Sequence, residues 1–337
     1  VKVDGGVGLG ADLKEVAALA KEQEEAGYNG FWSAETSHDP FLPLLLAAER
    51  TETIELGTSI AVAFARSPMT LANTAYDLHA YSGRFILGLG SQIKPHIVMR
   101  FSMPWSKPAA RMREMVLAIR AIWDSWHNDV RLNFRGEFYS HTLMTPFFNP
   151  GPNPHGLPRI FLAGVGPLMT EVAGEVADGF ICHSFTTERF LREVTLPALV
   201  RGRAKAGKTM DGFEVVGPSF VITGNNEEEM AEAAAATRQQ ISFYGSTPAY
   251  RPVLELHGWG DLQLELNKMS KQGRWSDMGD LIDDEMLRTF AVMGEPEQVA
   301  PELKRRFGDC VQRISFYAPY KSDSQRWRRV FEDLQSG

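Results

Sequence analysis

Only two cysteines, Cys182 and Cys310, occur in the 337 residues, and they lie far apart in sequence. So few thiols exclude the disulfide framework of a small secreted scaffold. Long apolar runs are lacking as well. The stretch LPLLLAAE, bounded by Pro43 and Glu49, falls well short of the roughly 20 residues that cross a bilayer, so no membrane partner is expected. Positive charge is in deficit: 35 Lys and Arg face 42 Asp and Glu, a formal net charge of −7. That balance argues against broad nucleic-acid binding and leaves room for local basic patches facing an anionic ligand. No zinc-ligand spacing such as H-x-x-x-H beside a third ligand is present, so no metal is expected. Low-complexity segments and repeats by residue identity are missing too. The opening VKVDGGVGL is strand-like, with no signal-peptide pattern, and the chain reads as a cytoplasmic enzyme.

What is present is ordinary globular material, 44% hydrophobic and 23% charged, enough for two average domains or one long α/β barrel. Short β-like runs alternate with amphipathic helical stretches. Strands are predicted over 1–9, 30–35, 54–63, 84–90, 159–166, 178–184, 213–223 and 313–319. Helices are predicted over 13–26, with Asp12 as N-cap and Gly27 as terminator, and over 41–51, 69–81, 107–126, 168–177, 188–206, 226–241 and 323–335. Two stretches break the rhythm: about 127–158, with a small hairpin and a Pro/Gly loop, and the mostly helical region about 242–308. Eight strands alternating with helices are the repeat of a (β/α)8 TIM barrel, read here as one domain over 1–337 with those two insertions. A doubly wound sheet, which needs fewer strands, ranks second.

The fourth strand ends in Gly88-Leu89-Gly90. A dinucleotide-binding turn would need a third glycine three residues on, and Ser91, Gln92 and Ile93 follow instead. The better reading is a strand end stripped of side chains so that a flat ring or another backbone comes close; relief of crowding inside the barrel is the plainer one. Other strand ends continue the theme. The fifth ends in Ala163-Gly164-Val165-Gly166 before a helix start, where free N–H groups suit a phosphate. The sixth ends in His183-Ser184, the second in Glu35, Thr36, His38 and Asp39, and the third carries Thr58-Ser59-Ile60. On a barrel all of these lie on the catalytic face.

The words LGTSIAVAFARSP, GRFILGLG and LAGVGP…AGEVADGFICHS, in that order and spread over nearly the whole chain, resemble the bacterial luciferase-like superfamily. AETSHDPFLPL, AVAFARSP and FYGSTPAY together are similar to an actinobacterial group of oxidoreductases that use the deazaflavin coenzyme F420. The resemblance implies a barrel with an insertion, a homodimer, a small-molecule substrate, and a cofactor at the C-terminal strand ends. It implies a non-prolyl cis bond at Ser59-Ile60 beneath the deazaflavin ring. It places the cofactor phosphate at Val165, Gly166, His183 and Ser184, with further cofactor contacts at Thr36, Gly90, Gln92 and Gly164. Lys94, Arg100, Arg111 and Arg113 are candidates for the acidic tail of the cofactor. The sequence departs from the sugar-phosphate dehydrogenases of the group, whose Asp-His at the second strand is Glu35-Thr36 here and whose later Glu is approximately Ile93.

Hydride transfer is the cofactor's chemistry, and the protein adds placement and one proton carrier. His38, Glu35 and His96 are the candidates for that carrier. Each has a plain alternative: His38 as a loop or cap residue, His96 as a solvated loop position, Glu35 in a salt bridge at the barrel mouth, for example to Arg66. Cys182 reads as a small core filler. Tyr244, Tyr250 and Trp259 either line an apolar substrate pocket or pack an insertion or dimer contact. The function expected is an F420-dependent oxidoreductase. The alternatives are an FMN-dependent monooxygenase on the same fold and a non-catalytic flavin- or deazaflavin-binding protein.

Overall fold

The computed structural model describes residues 1–8, 10–321 and 324–335. Eight strands, β1 (Lys2–Gly6), β2 (Gly30–Ser33), β3 (Glu55–Thr58), β4 (Phe85–Gly90), β5 (Arg159–Gly164), β6 (Gly179–Cys182), β7 (Glu214–Ile222) and β8 (Arg313–Tyr317), run parallel. Each pairs with the next, and β8 returns to β1 with Lys2 opposite Arg313 and Val3 opposite Ile314. The sheet therefore closes, and the expected (β/α)8 barrel is the fold. All eight strands lie where the sequence places them. Leu9, at the end of the predicted first strand, and Asp323, at the start of the predicted last helix, fall outside the described residues.

Alternation along the strands divides the core into two layers. Val3, Phe31, Leu56, Leu87 and Ile160 point outward and pack against the helices. Trp32, Ile86, Phe161, Ile181 and Val216 meet along the barrel axis, with Ile60 and Ala163 packed on them. Below this layer the strands begin with charges. Lys2, Glu55, Arg159 and Glu214 join Asp4 and Arg313 in one network, in which Arg313 donates to both Asp4 oxygens at 2.7 Å. Arg313 is fully buried, and its guanidinium lies 5.3 Å from the Trp32 ring. The N-terminal end of the barrel is thus plugged by compensated charge.

The helices start where capping groups stand. Asp12 accepts from the Lys14 N–H at 3.0 Å ahead of Leu13–Glu25, and Ser67 accepts from Thr70 at 3.1 Å ahead of Pro68–Ser82. Gly27 takes a φ of 92° just after the first helix. Asn226 accepts from Glu229 at 2.9 Å and opens Glu227–Gly245, so the acidic run there is a helix first turn. The helix predicted over 188–206 spans Glu188–Lys205, widening to π turns at Leu191–Thr195.

Two details differ from the sequence reading. The predicted strand 54–63 is split into Glu55–Thr58 and Ala61–Val62, with the cis bond Ser59–Ile60 between them. Within 242–308, a strand Ala291–Met293 adds in parallel to the far half of β7, with Ala291 opposite Phe220. The small hairpin expected within 127–158 is present, Phe134–Arg135 against Ser140–His141.

Candidate active site

The end of β2 meets the end of β3. Ser33 accepts from the Ser59 N–H at 2.8 Å, and the Ile60 carbonyl accepts from Glu35 at 3.0 Å, on either side of the cis bond. Glu35 is buried, and its Oε2 accepts from the Val62 N–H at 2.7 Å and from Arg66 at 2.6 Å. Arg66 also reaches Asp39 at 3.0 Å, and Asp39 accepts from the Phe41 N–H at the start of helix Phe41–Arg50. The Glu35 carboxylate thus braces the mouth through Oε2, in the salt bridge to Arg66 that the sequence offered as its plain alternative. Thr36 and His38, beyond it, are exposed.

The glycines of β4 serve this contact. A Cβ on Gly88 would lie 1.7 Å from the Thr58 carbonyl oxygen, and one on Gly90 would lie 2.8 Å from Ile60. The Thr58 hydroxyl accepts from the Gly88 N–H at 2.9 Å and donates to its carbonyl at 2.7 Å. Gly88 thus admits the close backbone of β3, as the first reading expects, while Gly90 relieves crowding by the Ile60 side chain, as the plainer one does. In the following segment Gln92 has a φ of 56°, His96 is exposed, and Arg100 donates to the Thr36 carbonyl, linking the loops after β4 and β2. Lys94 is exposed beside them. The other two candidate cations are occupied elsewhere. Arg111 is buried against Phe64 and Tyr139 and donates to Tyr139, and Arg113 grips Glu175 at 2.7 and 2.9 Å.

At the ends of β5 and β6 the two predicted segments stand side by side, with Gly164 opposite Cys182. Gly164 faces Met169, while a Cβ on Gly166 would meet nothing within 4 Å. Gly166 caps helix Pro167–Val176, leaving open space at a helix N-terminus. Val165, His183 and Ser184, at the same two strand ends, are half-buried. Cys182 is buried, and burial pushes its thiol up, in keeping with a core filler.

His183 is engaged within the protein. Its Nδ1 accepts from the Phe185 N–H at 3.0 Å and its Nε2 faces the Tyr250 hydroxyl at 3.2 Å. Its ring is packed against Tyr250 and Tyr244 at 4.6 and 4.8 Å. Burial pushes its pKa down to about 4. A neutral ring with both nitrogens engaged offers a phosphate little. Tyr244 in turn bonds Tyr317, the last residue of β8, at 3.1 Å. Trp259 packs on the same apolar cluster and stacks on His257 at 4.8 Å. The sequence reading missed Tyr317, although a polar-tipped aromatic closing the eighth strand was a usable signal.

Among the described residues no helix is long and apolar enough to cross a membrane. The family model described as luciferase-like monooxygenase matches residues 1–312. An uncharacterised protein of Mycobacterium tuberculosis is 55% identical over 93% of this chain and 92% of its own length. The F420-dependent glucose-6-phosphate dehydrogenase of Nocardia farcinica is 31% identical, covering 95% of this chain and 91% of its own. Among solved structures, the coenzyme F420-dependent tetrahydromethanopterin reductase of Methanopyrus kandleri superposes with a TM-score of 0.78 at 20% identity, covering 99% of this chain and 98% of that one. With a closed barrel and a family-model match over residues 1–312, the chain belongs to the luciferase-like monooxygenase family.

Proposed function

We propose that the protein is an F420-dependent oxidoreductase acting on a small organic molecule at the C-terminal mouth of the barrel. The observation that carries this reading is the 31% identity, over 95% of the chain, to an F420-dependent dehydrogenase. The mouth has the features such a ligand needs. Gly166 leaves open space at the start of helix Pro167–Val176 for the cofactor phosphate, with Ser184 just after the neighbouring strand. Ile60, seated on the axial layer, offers an apolar support for a flat ring. Exposed Lys94 and Arg100 suit an acidic tail. When bound, the deazaflavin supplies or accepts a hydride. The replacement of Asp-His by Glu35-Thr36, with Glu35 committed to Arg66, argues against carrying over the sugar-phosphate substrate of the relative.

Fluorescence quenching with purified coenzyme F420 and with FMN tests the proposal. Tight F420 binding beside weak FMN binding is expected. Preference for FMN would overturn it in favour of a flavin monooxygenase, and binding of neither would remove the cofactor role altogether. Gly166→Ala is expected to weaken F420 binding several-fold, because a methyl would stand in the anion space.

A further inference from the structure

The His183 ring decides which way the hydrogen bonds run in the mouth. A backbone N–H can only donate, so Phe185 forces Nδ1 to be the acceptor. In the neutral imidazole the proton then sits on Nε2, and that N–H points at the Tyr250 oxygen 3.2 Å away. Tyr250 is therefore the acceptor in this bond, and its own hydrogen is left for another partner. The nearby pair Tyr244 and Tyr317 shares one hydrogen across 3.1 Å and retains one more. These four half-buried groups stand at the ends of β6 and β8 and on the excursion after β7. In the closed strand order, β7 lies across the barrel from β3, which leads to Ile60.

We propose that Tyr250, oriented by the Nε2–H of His183, is the hydrogen-bond and proton donor to the substrate oxygen at this mouth. The proposal rests on the oxidoreductase reading and narrows it to carbonyl substrates, or to the alcohols they become. In the reducing direction a bound, reduced deazaflavin would supply the two electrons as a hydride to the carbonyl carbon. The C=O π pair moves to oxygen, and that oxygen takes the Tyr250 hydroxyl proton. The tyrosinate is held by the His183 Nε2–H and regains its proton from water; the reverse sequence oxidises an alcohol. Tyr250 is the catalytic residue here, and His183 is a positioning residue. Burial beside Tyr244 raises the Tyr250 pKa to about 12, which keeps the phenol protonated as a hydrogen-bond donor until the more basic developing alkoxide takes its proton.

The test uses 4-nitrophenolate as an oxyanion probe, titrated by absorbance against the full-length protein with and without bound F420. Loss of one hydrogen bond to a charged oxygen predicts roughly 10- to 100-fold weaker binding for Tyr250→Phe. Tyr81→Phe, at an exposed tyrosine paired with Glu49, is expected to bind as wild type. His183→Ala is expected to weaken binding in the same direction, and His183→Gln, which restores an N–H near Tyr250, to recover part of it. Equal affinity in wild type and Tyr250→Phe, or no binding to wild type, would overturn the proposal and leave the cluster as packing. Should Tyr250→Phe fail to fold, 15N NMR of the wild-type histidines still decides. At about pH 6 an Nε2–H tautomer is expected for His183, identified by the signal lost in His183→Gln, and an Nδ1–H tautomer or imidazolium would refute the argument. A protein that binds nitrophenolate but no F420 keeps the donor site and loses the cofactor reading, so the two fail separately.

Discussion

Gly88→Ala tests the account of the mouth most directly. An ideal Cβ at this position lies 1.7 Å from the Thr58 carbonyl oxygen and 3.0 Å from the Ile181 Cδ1, whereas ordinary contact begins at 3.4 Å. Strands β3 and β4 would have to separate by well over an ångström. They are tied by the Thr58 hydroxyl, which bonds the Gly88 N–H and carbonyl at 2.9 and 2.7 Å in a buried setting. If the strands hold, the core keeps overpacking strain; if they part, two buried hydrogen bonds are lost. Either route costs about 2–4 kcal/mol. With an unfolding entropy of ~2.1 cal/mol/K per residue, that corresponds to a fall in Tm of about 3–6 °C for a chain of this length. Thermal scans followed by circular dichroism measure it. Gly166→Ala is the internal control, since nothing stands within 4 Å and φ is −74°. Its stability is expected within about 1 kcal/mol of wild type, a lost cap preference offsetting a stiffer unfolded chain. Refutation would be a Gly88→Ala protein that melts with wild type, or a Gly166→Ala protein that falls as far.

Further outcomes follow from the buried charges. Arg313→Met leaves Asp4, now 1% exposed, without its two-bond partner, and is expected to lose about 3–5 kcal/mol in urea unfolding, with Asp4→Asn in the same chain recovering part. Burial alone would raise the Glu55 carboxyl, but Arg313 and Arg159 more than offset this and hold it at about 2. A depressed acid stabilises the fold above its unfolded pKa of ~4.3 and loses that contribution as pH falls through the folded value. Glu55→Gln should accordingly flatten stability between about pH 4.5 and 2. His183 carries the matching effect for a base. Burial lowers it to about 4, so below about pH 6.5 the unfolded chain takes a proton that the folded chain refuses. Stability should fall by up to ~3 kcal/mol between pH ~6.5 and ~4; denaturation curves of His183→Gln that keep the full slope would contradict this.

Much of the architecture was legible in the order of residues. Short apolar runs such as RFILGLG and DGFICHS stand between helices whose starts are marked by Asp12, Ser67 and Asn226. These signals are local, acting over a turn of helix or a few strand residues. The split of the third strand at Ser59–Ile60 was implied only by family resemblance, because nothing in the local pattern interrupts TSIAVA. The charged plug left a trace, since β1, β3, β5, β7 and β8 each open with Lys, Glu, Arg, Glu and Arg. That trace reads as solvated strand ends until the barrel closes.

What tertiary structure alone decided is which of the polar residues spend themselves on one another. Residue types and spacing established eight strands, their helices, and a polar, glycine-rich set of strand ends. Glu35 finds Arg66 across 31 residues, His183 finds Tyr250 across 67, and Arg313 finds Asp4 across 309. A hydrogen bond is worth forming only where two groups meet and leave water together. For partners so distant in sequence, that meeting is set by closure of the sheet and by the path of the chain after β7.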